Sequence, residues 1–122
     1  MSDEKKYIHS IKDIPYIAFN DKAKTRFLLG DQILVSFIEQ EAGAEFPIHS
    51  HDCEQILIIL EGSEEHIVDG KTFHMEAGDV CIHPANVLHG GRSLTGFKGI
   101  DIFSPPRKEH LELMEKHGQF KK

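Results

Sequence analysis

Only two of the 122 residues are cysteine, and no apolar run approaches the roughly 20 residues that a helix needs to cross a bilayer. Cys53 and Cys81 match no paired zinc or redox spacing, and in a reducing compartment they are expected to remain thiols. Cys53 reads first as a small buried or semi-exposed side chain. No secretory segment follows Met1, because residues 2–14 are charged, so the expected address is the cytoplasm. Positive charge is also scarce, with 14 Lys and Arg against 20 Asp and Glu and a formal net charge of -6. A negative field repels nucleic acid and acidic membrane surfaces, and Lys121 and Lys122 are too few to reverse it. Repeats and low-complexity segments are absent. A chain of this length is one domain and buries about two-thirds of the surface its unfolded form exposes.

What the chain does have is histidine in a pattern. His49 and His51 are followed by Gln55 and, much later, by His89. Side chains two apart on a strand share a face, so His49 and His51 project together and Gln55 can join them. Imidazole nitrogens and an amide oxygen suit one divalent transition ion: Zn, Ni, Fe, Mn or Cu. All four ligands are neutral, so the ion keeps its full charge and attracts a small acidic molecule. Glu54 is the competing ligand, but adjacent strand residues face opposite sides. With nine histidines in the chain, a surface hairpin is the bland alternative for the pair. The other six, His9, His66, His74, His83, His110 and His117, read as surface or satisfied strand residues, with His74 and His83 best placed to reach a pocket rim.

Short apolar runs alternate with turn signals, the pattern of an all-β sandwich or barrel. Strands are expected at 25–29 and 32–41 around Gly30-Asp31, at 54–60 ending in Glu61-Gly62, and at 64–68 and 71–75 around Asp69-Gly70. Others are expected at 80–83 and 95–103. After Pro105-Pro106, residues 107–117 carry helix formers before Gly118, predicting one exposed helix. Residues 14–19 are a further candidate strand, with Tyr16, Ile17 and Phe19 as candidates for a contact surface. The predicted organisation is an N-terminal arm or strand over 1–24, a barrel over 25–106, and a helix and tail over 107–122. On the last strand, period two puts Asp101 and Phe103 on one face. Facing inward, they offer a carboxylate for proton transfer and an aromatic wall, while Arg107 can fold over the mouth and grip a carboxylate. Equally, Asp101 can be a structural acid and Arg107 a solvated first turn.

Both histidine segments sit in glycine-punctuated frames, Gly43 to Gly62 and Gly78 to Ser93. These resemble the two cupin motifs G-x5-H-x-H-x3-E-x6-G and G-x5-P-x-G-x2-H-x3-N, with every spacing kept. Gln55 stands for the usual Glu, Asn86 for Gly and Ser93 for Asn. The resemblance implies a cupin double-stranded β-helix, or jelly-roll barrel, with one short C-terminal helix, and cupins usually hide their edges as homodimers. Residues 42–107 further resemble the small KdgF-like cupins of pectin and alginate breakdown, which linearise 4,5-unsaturated uronates. Those proteins share the His-x-His, Gln and His set and an Asp-x-Phe-Ser-Pro-Pro-Arg segment, matched by Asp101, Phe103 and Arg107. That implies metal ligands His49, His51, Gln55 and His89, catalytic residues Asp101, Phe103 and Arg107, and ring opening of an unsaturated uronate. Cys53 and residues 56–59 are expected to give the pocket its own lining. Two alternatives share the fold: an Fe or Ni dioxygenase acting on a diketone or polyphenol, and a non-catalytic module that binds a small metabolite.

Overall fold

The computed structural model describes residues 7–120. After a 3-10 turn at Ile11–Asp13 come eight strands: β1 (Ile17–Asn20), β2 (Ala23–Leu29), β3 (Leu34–Gln40), β4 (Glu45–His49), β5 (Glu54–Val68), β6 (Lys71–Glu76), β7 (Val80–His83) and β8 (His89–Ser104). One helix, α1 (Lys108–Lys116), closes the chain. Among the described residues no helix is long and apolar enough to cross a membrane.

The long strands β5 and β8 pair antiparallel from Glu54↔Ser104 to Val68↔His89. Their neighbours change along the way. The first part of β5 also pairs with β7 and its second part with β6, while β8 begins against β4 and ends against β3. β2 lies on β3 and β1 on β2. Each long strand therefore passes through both layers, and the sheet rolls up as the expected jelly-roll cupin barrel. The bend falls where the β5–β8 register shifts, between Ile59 and Glu61 and again between Gly62 and Glu64. There Gly62, at φ +84°, meets Gly96 so closely that a Cβ on Gly62 would lie 2.0 Å from the Gly96 carbonyl oxygen. Bulges of this kind bend a strand and increase its twist.

The bend corrects two expectations. The strand predicted to stop at Glu61-Gly62 continues to Val68, and the late strand begins at His89 rather than at 95. β4 extends back from His49, already expected on a strand, and its Pro47, which lacks an N–H, is tolerated because among the described strands β4 pairs only with β8. Asp69 and Gly70, at φ 52° and 77°, make the expected tight hairpin with both central residues left-handed. The β2–β3 loop spans 30–33, with Gly30 N–H donating to the Ile33 carbonyl at 2.8 Å.

The apolar interior falls into two clusters. One gathers Ile17, Phe27, Leu34, Cys53, Phe103 and Met114; the other gathers Ile38, Leu57, Ile59, Met75 and Phe97. Ile17 and the partly buried Phe19 therefore pack inside, which removes both from the expected contact surface and leaves Tyr16 exposed. β1 itself pairs with β2 of the same chain. The helix is not wholly exposed either. His110 and Met114, four residues apart on one face, are buried, and Gly118 at φ 72° ends the helix.

Candidate metal centre

β4 ends at His49 and β8 begins at His89, and the two are partners across the β4–β8 ladder. His49, His51 and Gln55 do not share one strand as expected: His51 lies in the loop before β5, and Gln55 is the second residue of β5, pointing inward while Glu54 is exposed. The four predicted ligands are thus brought together. The Nδ1 atoms of His49, His51 and His89 lie 2.7, 2.9 and 2.9 Å from the carbonyls of Pro47, Cys53 and Val87. Each Nδ1 donates its hydrogen there, so each Nε2 presents a lone pair. One ligand atom from each ring lies within 4.8 Å of the others. The Nε2 atoms of His49 and His89 are buried with no hydrogen-bond partner among the described residues.

Gln55 supplies the sharpest detail. Its Nε2 donates to Asp101 Oδ1 at 2.6 Å, which turns its Oε1 to face His51 Nε2 at 3.1 Å. Those two atoms are both acceptors, and an electropositive group between them satisfies both. Buried acceptors without donors are rare in proteins and call for an ion or water. Three imidazoles and an amide oxygen fit a divalent transition ion. Burial keeps the rings neutral and ready to ligate: His49 is held below its usual range, and His89 is pushed down to about 4, although the Val87 carbonyl pulls the other way.

Asp101 and Phe103, on one face as alternation requires, both point inward and line, with Arg107, a cavity of about 50 Å³. Burial raises the Asp101 carboxyl to about 7 against the opposing Gln55 amide. Phe103 is 1 % exposed. Its ring lies 5.9 Å from that of His51 and 4.8 Å from that of His110, so it supports the ligand rather than offering a free face to a sugar. Arg107 caps α1, with its guanidinium 5.9 Å from the Phe103 ring centre and 3.3 Å from Glu109. Of the stretch 56–59 expected to line the pocket, only Leu57 does so, because Ile56 and Ile58 point to the other face. Cys53 lies in the apolar core, and burial raises its thiol.

The sequence reading missed Glu64 and His66, both buried; His83, read as a candidate for the pocket rim, is buried as well. His66 and His83 stand in Nε2 contact at 2.5 Å, and the His83 ring lies 4.4 Å from that of His89. His74, given the same chance of reaching the pocket, pairs instead with Glu76 at the surface. In β5 the inward positions are odd through Ile59 and even from Glu64. The bulges shift the parity, so counting on from Gln55 puts His66 outside.

The fold and this donor set define a cupin. The family model described as a cupin domain matches residues 36–103, more than half of the chain, and the chain belongs to that family. The pectin degradation protein KdgF of Dickeya dadantii (strain 3937) is 29 % identical over 102 residues, covering 81 % of this chain and 93 % of that one. An RmlC-like cupin from Shewanella frigidimarina NCIMB 400 superposes with a TM-score of 0.82 at 27 % identity, covering 87 % of this chain and 96 % of its own. KdgF from Halomonas sp. also gives 0.82, at 20 % identity, over 88 % of this chain and all (100 %) of its own. At that identity the likeness speaks for the fold.

Proposed function

We propose that the chain is a metal-dependent enzyme that opens the ring of an unsaturated uronate, or a close acidic sugar, and tautomerises the product. One contact carries most weight: the Gln55 amide joins the convergent histidines on one side to the buried Asp101 carboxylate on the other. A metal cluster and a proton carrier one side chain apart are what such a reaction needs. The 29 % identity to a protein named for pectin degradation supports the substrate class.

His49, His51, Gln55 and His89 would hold the ion, which supplies Lewis acidity toward an oxygen of the substrate. Arg107 pairs its guanidinium fork with the substrate carboxylate. Asp101 takes the proton of the anomeric hydroxyl as the bond from the anomeric carbon to the ring oxygen breaks. A proton then returns to the neighbouring alkene carbon as the enol becomes a ketone, so atoms and charge balance. A positioned carboxylate typically contributes about 10²–10⁴-fold to such a step. The cavity of about 50 Å³ has room for one or two water-sized groups, so the sugar ring lies toward Arg107 with its reacting end inward.

The test is a chelator-stripped protein reloaded with Zn, Ni, Mn, Fe(II) or Cu in turn and mixed with 4,5-unsaturated galacturonate. Faster loss of its ultraviolet absorbance than in buffer is expected with at least one metal. No acceleration with any of them, together with stoichiometric oxygen uptake on a diketone or polyphenol, would replace this reading with a dioxygenase. A homodimer belongs to the same proposal. Phe73, Val80 and Ile82, which are 51, 58 and 60 % exposed on β6 and β7, supply apolar surface for a second copy. A monomer mass by light scattering at all concentrations would overturn that part.

A further inference from the structure

His66, Cys81 and His83 make a second convergent donor set, built like the first. Each offers one ligand atom, and the three atoms lie within 4.8 Å of one another. His66 Nδ1 lies 2.6 Å from Glu64 Oε1, and His83 Nδ1 lies 3.3 Å from the Gln55 carbonyl. Both rings thus have an acceptor for the Nδ1 hydrogen, and their Nε2 atoms meet 2.5 Å apart. Two ring nitrogens at that distance need a positive occupant. A single shared proton would serve the two nitrogens alone, whereas an ion would also engage the Cys81 thiol, which interacts with His66 and stands within 4.8 Å of both nitrogens. The carboxylate behind His66 is the outer partner that ligating histidines usually have.

We propose that His66, Cys81 and His83 bind a second ion of the zinc class, with Glu64 orienting His66 from behind. Two imidazoles and a thiolate select Zn or Co over Mg or Ca, and three protein ligands leave a fourth position open. A tetrahedral ion with bonds of about 2.0–2.1 Å sets its nitrogens about 3.3 Å apart, so the rings need to part by less than about 1 Å. Cys81 is half-buried and lines a groove with Phe73, Val80 and Ile82. Because the His83 ring packs on that of His89, an ion there also braces the first site. None of the three residues belongs to the His49, His51, Gln55 and His89 set, so the ligands of either site can be removed without touching those of the other.

The experiment is a titration of chelator-stripped, reduced protein with Co²⁺, read by bound metal per chain and by the near-ultraviolet thiolate-to-cobalt band. The wild type should bind two equivalents and develop the band. Cys81→Ser should lose one equivalent and the band, and His51→Ala should lose the other equivalent and keep the band. One equivalent with the band, retained in His51→Ala, would uphold this site and remove the first. A wild type that binds one equivalent with no band, or a Cys81→Ser variant that binds as much as wild type, would overturn the proposal and leave a proton between the rings.

Discussion

His110 makes the stability of this barrel depend on pH in a way that one substitution isolates. Its ring is 8 % exposed, 4.9 Å from the ring of Phe27 and 4.8 Å from that of Phe103. Burial, with smaller contributions from Arg107, His51 and His49, pushes it down to about 3. In the unfolded chain a histidine titrates near about 6.5. The stability from keeping the ring neutral is therefore complete above that value and is lost as pH falls from about 6.5 toward 3. At pH 5 the unfolded ring is almost fully protonated and the folded ring is not, so the loss between pH 7.5 and 5.0 is about 1.5 × 1.36, or about 2 kcal/mol. His83 and His89 are lowered in the same direction, and Asp101 and His66 are raised. His110→Leu removes only its own share while keeping volume and an apolar contact with the phenylalanines. Urea unfolding of both proteins with chelator present, followed by far-ultraviolet circular dichroism because the chain has no Trp, gives the double difference. Wild type should lose about 2 kcal/mol more than the variant over that interval. Equal losses would refute the burial argument.

Gln55→Ala should weaken metal binding by about tenfold or more, whereas Glu54→Ala leaves it nearly unchanged; calorimetric titration giving the reverse ranking would mean that the strand parity is wrong. Gly62→Ala should destabilise the fold by at least about 2 kcal/mol, because the new Cβ meets the Gly96 carbonyl at 2.0 Å. At the open turn position Gly70, where an added Cβ meets no atom of a described residue beyond its chain neighbours within 4 Å, the same change should cost only about 1–2 kcal/mol. On an unsaturated uronate, Asp101→Asn should cut kcat about 10²-fold or more with KM little moved, while Arg107→Ala should mainly raise KM. Identical kinetic signatures for the two variants would remove their separate roles.

The parts of the site that could be read from the sequence obey one local rule. His49, His51 and Gln55 are close in sequence, and the inward positions of Asp101 and Phe103 follow from the alternation of a strand without breaks between them. Reading fails where that alternation is interrupted. The bulges at the bend of β5 shift the inward parity, and this brings Glu64 and His66 to the interior. His110 hid the buried face of α1, because a histidine four residues before Met114 does not look like core until three phenylalanines surround it.

The departure of Gln55 from the usual cupin glutamate is explained by Asp101. An amide can donate to the Asp101 carboxylate with one end and turn its oxygen to the ligand cluster with the other. A glutamate in its place would instead press two buried carboxylates together at a separation near 2.6 Å, and one of them would have to bind a proton. The pair is thus a matched donor and acceptor, and the match can be inverted. Gln55→Glu alone should cost the chelated protein about 1–3 kcal/mol at pH 8, as a buried acceptor left without a donor does. Adding Asp101→Asn restores one donor and one acceptor, now with the amide on β8, and should return most of that loss. Urea unfolding of the four proteins then gives a coupling of at least about 1 kcal/mol. If Asp101→Asn costs as much in the Gln55→Glu background as in wild type, the two residues are independent and the link between metal ligand and proton carrier is lost.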